Sequence, residues 1–202
     1  MIYIQHRVNK IEQLEQLSDV DGCEIDLRSN VQTLNHIHLS HDPYQLGDNF
    51  QSWLRLYKQK NFSGPLILNT KEDGLELTAL EILNLEGIDN FFFLDTAMPT
   101  LIKYSQIQQN KFFAVRASCY EPFIMAELFR QKVDWVWVDY FYGKCLSINF
   151  IRDLAKDFKI CMVSPELHSG VISDIENFQP DFANYATAIC TKNPSLWKRI
   201  LS

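Results

Sequence analysis

Glycine is scarce in this chain. There are seven in 202 residues, and none forms a phosphate-cradling loop after the first apolar run. A doubly wound nucleotide-binding fold would need such a loop there, so its main sign is missing. No Pro/Gly/Ser-rich stretch, low-complexity tract or charge block interrupts the sequence, which therefore reads as one domain over 1–202. Basic residues are outnumbered, 19 Lys and Arg against 25 Asp and Glu, and the net charge of −6 argues against a nucleic-acid-binding face. No apolar run approaches the roughly 20 residues that span a bilayer. The start, Met1-Ile2-Tyr3-Ile4-Gln5-His6, lacks the basic region and apolar core of a signal peptide. Nor is there an amphipathic basic helix to engage a membrane surface. The five cysteines are scattered and odd in number, with no C-x-x-C pair. That pattern disfavours a disulfide framework or zinc site and predicts a reducing, cytoplasmic setting.

What the chain has in plenty is short apolar runs. Strands are expected at 2–6, 23–28, 65–70, 91–95, 112–117, 134–139, 159–163 and 186–191, with a further short run at 36–39. Several are continuous, such as Phe91-Phe92-Phe93-Leu94 and Trp135-Val136-Trp137-Val138, which marks strands covered on both faces, as in a parallel sheet. Amphipathic segments at 8–17, 49–60, 75–85 and 147–157 lie between them. Eight strands alternating with helices predict a compact α/β (βα)8 TIM barrel. Trp135 and Trp137 share one face of their strand, which must meet either the helices or the barrel interior.

A barrel places its chemistry at the C-terminal ends of its strands. Polar residues follow the runs there: His6-Arg7, Glu24 and Asp26, Asn69 and Lys71, Asp95, Arg116, Asp139 and Glu166. Glu24 and Asp26 are two apart on a strand, so both carboxylates point to one side. Two carboxylates with the imidazoles of His6 and His41 nearby suit hard-metal binding combined with acid–base chemistry. His36 and His38 read as partly exposed strand residues.

These motifs resemble the glycerophosphodiester phosphodiesterase family, within the wider phosphatidylinositol-phospholipase-C-like barrels. The resemblance runs over the whole chain: His6-Arg7 closing the first strand, Glu24-Ile25-Asp26 on the second, and His41-Asp42 after a short apolar run. Asn69-Thr70-Lys71 stands where the family has Glu-x-Lys, and Ala188-Ile189-Cys190-Thr191 leads into Pro194 like its closing strand. The resemblance implies that His6 and His41 are the catalytic acid–base pair. It also implies that Glu24, Asp26 and Asn69 hold a divalent cation, magnesium or calcium. Arg7 and Lys71 suit phosphate binding, Arg116 a further substrate contact, and Tyr140, just past its strand, a substrate wall.

The chain departs from the family at Val8, where a glycine usually follows His-Arg, and at Asn69, which replaces a metal-ligating glutamate. Asp95, Asp139 or Glu166 is then a candidate to supply the lost carboxylate. Only 22 residues, 43–64, separate Asp42 from Pro65, so the family's long insertion is missing. An open mouth and a head group bulkier than glycerol, sugar- or nucleotide-linked, are expected. The expectation is thus hydrolysis of a small soluble phosphodiester. A lyase releasing a cyclic phosphate and a silent phosphate-ligand-binding barrel are the alternatives.

Overall fold

The structure, a computed structural model, describes residues 1–29, 36–107, 111–121, 123–143, 146–178 and 180–202. Its strands are β1 (Ile2–Gln5), β2 (Gly22–Ser29), β3 (Ile37–Leu39), β4 (Asp48–Asn49), β5 (Leu66–Thr70), β6 (Phe91–Leu94), β7 (Ala114–Ala117), β8 (Trp135–Val138), β9 (Lys159–Val163) and β10 (Ala188–Thr191). The α-helices are α1 (Ile11–Gln16), α2 (Phe50–Lys60), α3 (Glu76–Glu86), α4 (Met98–Ser105), α5 (Phe123–Glu127), α6 (Ile148–Leu154), α7 (Glu166–Ser169), α8 (Ser173–Glu176) and α9 (Pro194–Ile200).

Eight strands run parallel. From β1 the sheet extends through β2, β5 and β6 one way and through β10, β9, β8 and β7 the other. β6 and β7 meet through a single parallel bridge, Phe93 with Phe113, where the Phe93 amide donates to the Phe112 carbonyl at 2.9 Å. That contact closes the barrel, and all eight expected strands lie in its wall. The antiparallel pair β3–β4 is added to the far end of β2, whose first residues pair with β1 and last with β3.

Alternation along the strands divides the apolar residues into two cores. Ile4, Ile67, Phe92, Leu94, Trp135 and Trp137 pack together inside the barrel. Cys23, Ile25, Leu27, Leu66, Leu68 and Val136 face outward to the helix layer. The tryptophans therefore meet the interior. Glu24, Asp26, Asn69 and Arg116 share the inward parity of their strands and sit above that core, at its polar end.

Local signals set the helix ends. The Asn49 side chain accepts from the Ser52 amide at 2.9 Å to start α2, and Asn61 ends it in the left-handed region. The expected helix at 8–17 begins only at Ile11. Arg7 adopts a left-handed backbone and Asn9 spends its side chain on Asp26, so the chain cannot turn helical sooner. Among the described residues no helix is long and apolar enough to cross a membrane. Cys23, Cys161 and Cys190 are buried and unpaired, and Cys119 is exposed; Cys145 lies outside the described residues.

Candidate active site at the barrel mouth

The acid pair depends on a close strand approach. A Cβ on Gly22 would lie 2.4 Å from the Pro65 carbonyl oxygen, so only glycine lets β2 enter the wall here. Two and four residues on, Glu24 and Asp26 point inward and are fully buried. Asp26 is held from three sides. Asn9 Nδ2 donates to Oδ2 at 2.7 Å, Lys71 Nζ lies 3.1 Å from Oδ1, and Arg7 Nε lies 3.6 Å from Oδ2. The Asp26 amide in turn donates to Asn9 Oδ1 at 2.9 Å. Asn69 pairs in register with Asp26 on the neighbouring strand.

Glu24 is held less completely. Its Oε2 accepts the Arg7 backbone amide at 2.8 Å and lies 3.6 Å from His6 Nε2. Its Oε1 is buried with no hydrogen-bond partner, and so is Asn69 Oδ1. Burial, then the neighbouring Asp26 charge, pushes the Glu24 carboxyl up. Burial, then the Arg7 guanidinium, pushes the His6 imidazole down to about 3, so it is neutral at pH 7. Two open oxygens, one carboxylate and one amide, beside a second carboxylate form an all-oxygen donor set that fits a hard divalent cation. No group of three or more His, Cys, Asp or Glu among the described residues could hold a metal. A cation held by Glu24 and Asp26 would find the Asn69 carbonyl oxygen, on the neighbouring strand, as its third donor.

The remaining candidates are placed differently. His41 follows β3 on the hairpin, partly exposed, with Nδ1 2.7 Å from Asp42 Oδ1. It lines a depression of about 550 Å³ together with Arg7, while His6 and Arg7 line another of about 510 Å³. Arg7 thus stands between the two histidines. Arg116 is gripped by two carboxylates, with Nη2 2.9 Å from Asp95 Oδ2 and Nη1 bonded to Asp139. Tyr140 stacks edgewise on Phe178, ring centres 5.2 Å apart. His38 is buried and bonded to the Gln45 carbonyl at 3.0 Å, not partly exposed. Glu166 holds Thr191 Oγ1 at 2.6 Å and the Lys192 amide at 3.1 Å. With Asp95 and Asp139 on Arg116, the three spare acids are engaged elsewhere.

Sequence reasoning passed over His168. Its Nε2 lies 2.9 Å from Asp139 Oδ1, and its ring packs on Phe141 at 4.3 Å. A second His–Asp pair therefore stands at the mouth, brought together from the residue after β8 and from α7. No motif in the chain announces it.

By sequence, no family model matches the chain and no curated relative is found. Solved structures do match. A structure assigned as a glycerophosphodiester phosphodiesterase from Galdieria sulphuraria superposes with a TM-score of 0.75 at 13% identity, covering 99% of this chain and 97% of that one. The fold is the one seen in the glycerophosphodiester phosphodiesterases. An Oleispira antarctica phosphodiesterase in complex with its product sn-glycerol-3-phosphate gives 0.74 at 13% identity over 100% and 96% of the two chains. The Agrobacterium tumefaciens glycerophosphodiester phosphodiesterase gives 0.66 at 10%, over 98% and 99%. A tryptophan synthase α-subunit from Pyrococcus furiosus also matches, at 0.58. Barrels of unlike chemistry share this architecture, so function has to be argued from the site.

Proposed function

We propose that the chain is a phosphodiesterase hydrolysing a small phosphodiester of the glycerophosphodiester type, with a divalent cation held by Glu24, Asp26 and Asn69. The observation that carries this is the pair of buried oxygens without a hydrogen-bond partner, Glu24 Oε1 and Asn69 Oδ1, on neighbouring strands, with His6 and Arg7 against Glu24 and Lys71 against Asp26. A bound cation would neutralise charge on the phosphate and offset the cost of burying Glu24. Arg7 Nε is itself buried without a hydrogen-bond partner, a donor open to a phosphate oxygen. Lys71 adds a point charge. Neutral His6 takes the proton of the attacking water, and His41, oriented by Asp42, gives one to the leaving oxygen. The shared fold and the product complex of the Oleispira enzyme support the same substrate class.

One observation favours a second reading, binding without turnover. Lys71 already places a protein cation 3.1 Å from Asp26. The two readings separate in a colorimetric assay on a panel of soluble phosphodiesters. Turnover that disappears with chelator and returns with magnesium or calcium supports hydrolysis. Ligand binding with no turnover under any metal overturns it.

A further inference from the structure

The barrel wall has a seam. Among the described residues β6 and β7 share only the Phe93–Phe113 bridge, and beside it lies a cavity of about 480 Å³. Ala114, Val115 and Arg116 all line it. Ala114 carries the inward parity of β7 and Val115 the outward one, so the cavity lies along the edge of β7 that faces the seam. Its walls are mainly apolar, completed by Leu101 of α4 and by Met125 and Phe129 at and beyond α5.

The polar end of this cavity is specific. Thr96 Oγ1 and Glu121 Oε2 line it and are buried without hydrogen-bond partners. Such groups are costly to leave unpaired, so their retention points to a ligand that satisfies them. Arg116 offers no free cation here, because Asp95 and Asp139 already hold it. With Asp95 and Glu121 against one paired arginine, this end repels anions and calls for a hydrogen-bond donor. Asp95 follows Leu94, which pairs in register with Asn69. The cavity therefore opens beside the proposed cation site.

We propose that this seam cavity binds the organic group of the substrate, an aliphatic or aryl chain ending in a hydroxyl or amine that meets Thr96 and Glu121. The assignment to substrate rests on the phosphodiesterase reading; the binding itself does not. It replaces the sugar- or nucleotide-linked head expected from the open mouth with an apolar group.

The test has two arms. In the first, 1-hexanol, hexylamine and hexanoate are titrated into the full chain by ligand-observed NMR. The alcohol and amine should bind and hexanoate should not. Ala114→Leu, which fills the cavity, should abolish binding, and Glu121→Gln should weaken hexylamine more than hexanol. Equal binding of hexanoate, or binding untouched by both variants, overturns the site. The second arm compares methyl and hexyl p-nitrophenyl phosphates. Each buried methylene should raise kcat/KM about fourfold until the cavity is full, and Ala114→Leu should remove that gain. Equal turnover of the two esters overturns the substrate assignment. Turnover of neither ester, with hexanol still bound, overturns the phosphodiesterase reading and with it the substrate assignment, and upholds the cavity as a binding site.

Discussion

Arg7 holds the left-handed backbone conformation, φ 57°, and from it donates its amide to Glu24 Oε2 at 2.8 Å. One residue thus turns the chain off β1, pins one oxygen of the buried acid, and sends its guanidinium towards Asp26. The other Glu24 oxygen is left open. Arginine is an uncommon choice at positive φ, and glycine would sit there with less strain.

That conflict between backbone and side chain is testable. Arg7→Gly should be more stable than Arg7→Ala by about 1 kcal/mol in urea unfolding, because glycine relieves the left-handed strain. Both variants should lose phosphodiester affinity equally, since both lose the guanidinium. Equal stabilities would show that the conformation carries no strain.

In the proposed cation site the neutral donor Asn69 would limit the affinity. Asn69→Glu adds a carboxylate to the set and should tighten magnesium or calcium binding at least tenfold by calorimetry, an effect of roughly 1.4 kcal/mol. Unchanged affinity would place the cation elsewhere.

Most of the fold was legible because parallel barrel strands are buried on both faces. Phe91-Phe92-Phe93-Leu94 and Trp135-Val136-Trp137-Val138 are apolar on every residue and declare themselves without alternation. The acids, Asn69, His6, Arg7 and Lys71 were legible for a related reason: each lies at the end of such a run or just past it, and these six converge. Whether the tryptophans face inward or outward could not be read, since both faces of the strand are apolar. The Asp95–Arg116–Asp139–His168 network was hidden as a network. Its members lie just past β6, in β7, just past β8 and in α7, more than 20 residues apart at each step from Asp95 to His168. Only the barrel's closure brings them together. The seam cavity was likewise invisible, because it depends on how little β6 and β7 pair.

His6 makes a pH prediction with a definite sign. Its folded pKa, about 3, lies below the ordinary 6.5, so the unfolded chain binds more protons between those values. Its contribution to stability is fully present above pH 6.5 and is lost as pH falls towards 3. Glu24, shifted up, acts in the opposite direction, so the comparison must be made against a variant. The stability of His6→Gln should rise less steeply with pH than that of the parent over pH 3 to 6.5. Parallel curves would mean that His6 is not desolvated.

Asp139 joins Arg116 to His168 and is almost wholly buried. Asp139→Ala leaves both partners short of a bond and should destabilise the fold by about 2–4 kcal/mol. Arg199→Ala, at an exposed pair with Glu176, should leave the unfolding midpoint unmoved. Similar effects for the two would mean that the buried network contributes no more than a surface pair.

The central claim, that phosphodiester hydrolysis occurs beside the open oxygen of Glu24, is met most directly by phosphorus NMR. A glycerophosphodiester incubated with the chain and magnesium or calcium should give a phosphomonoester, with no lasting cyclic phosphate. His6→Ala should slow this by about 10²–10⁴-fold, and Glu24→Gln should abolish the cation dependence along with the activity. An unchanged diester signal with the wild-type chain, or full turnover by Glu24→Gln, would contradict the account.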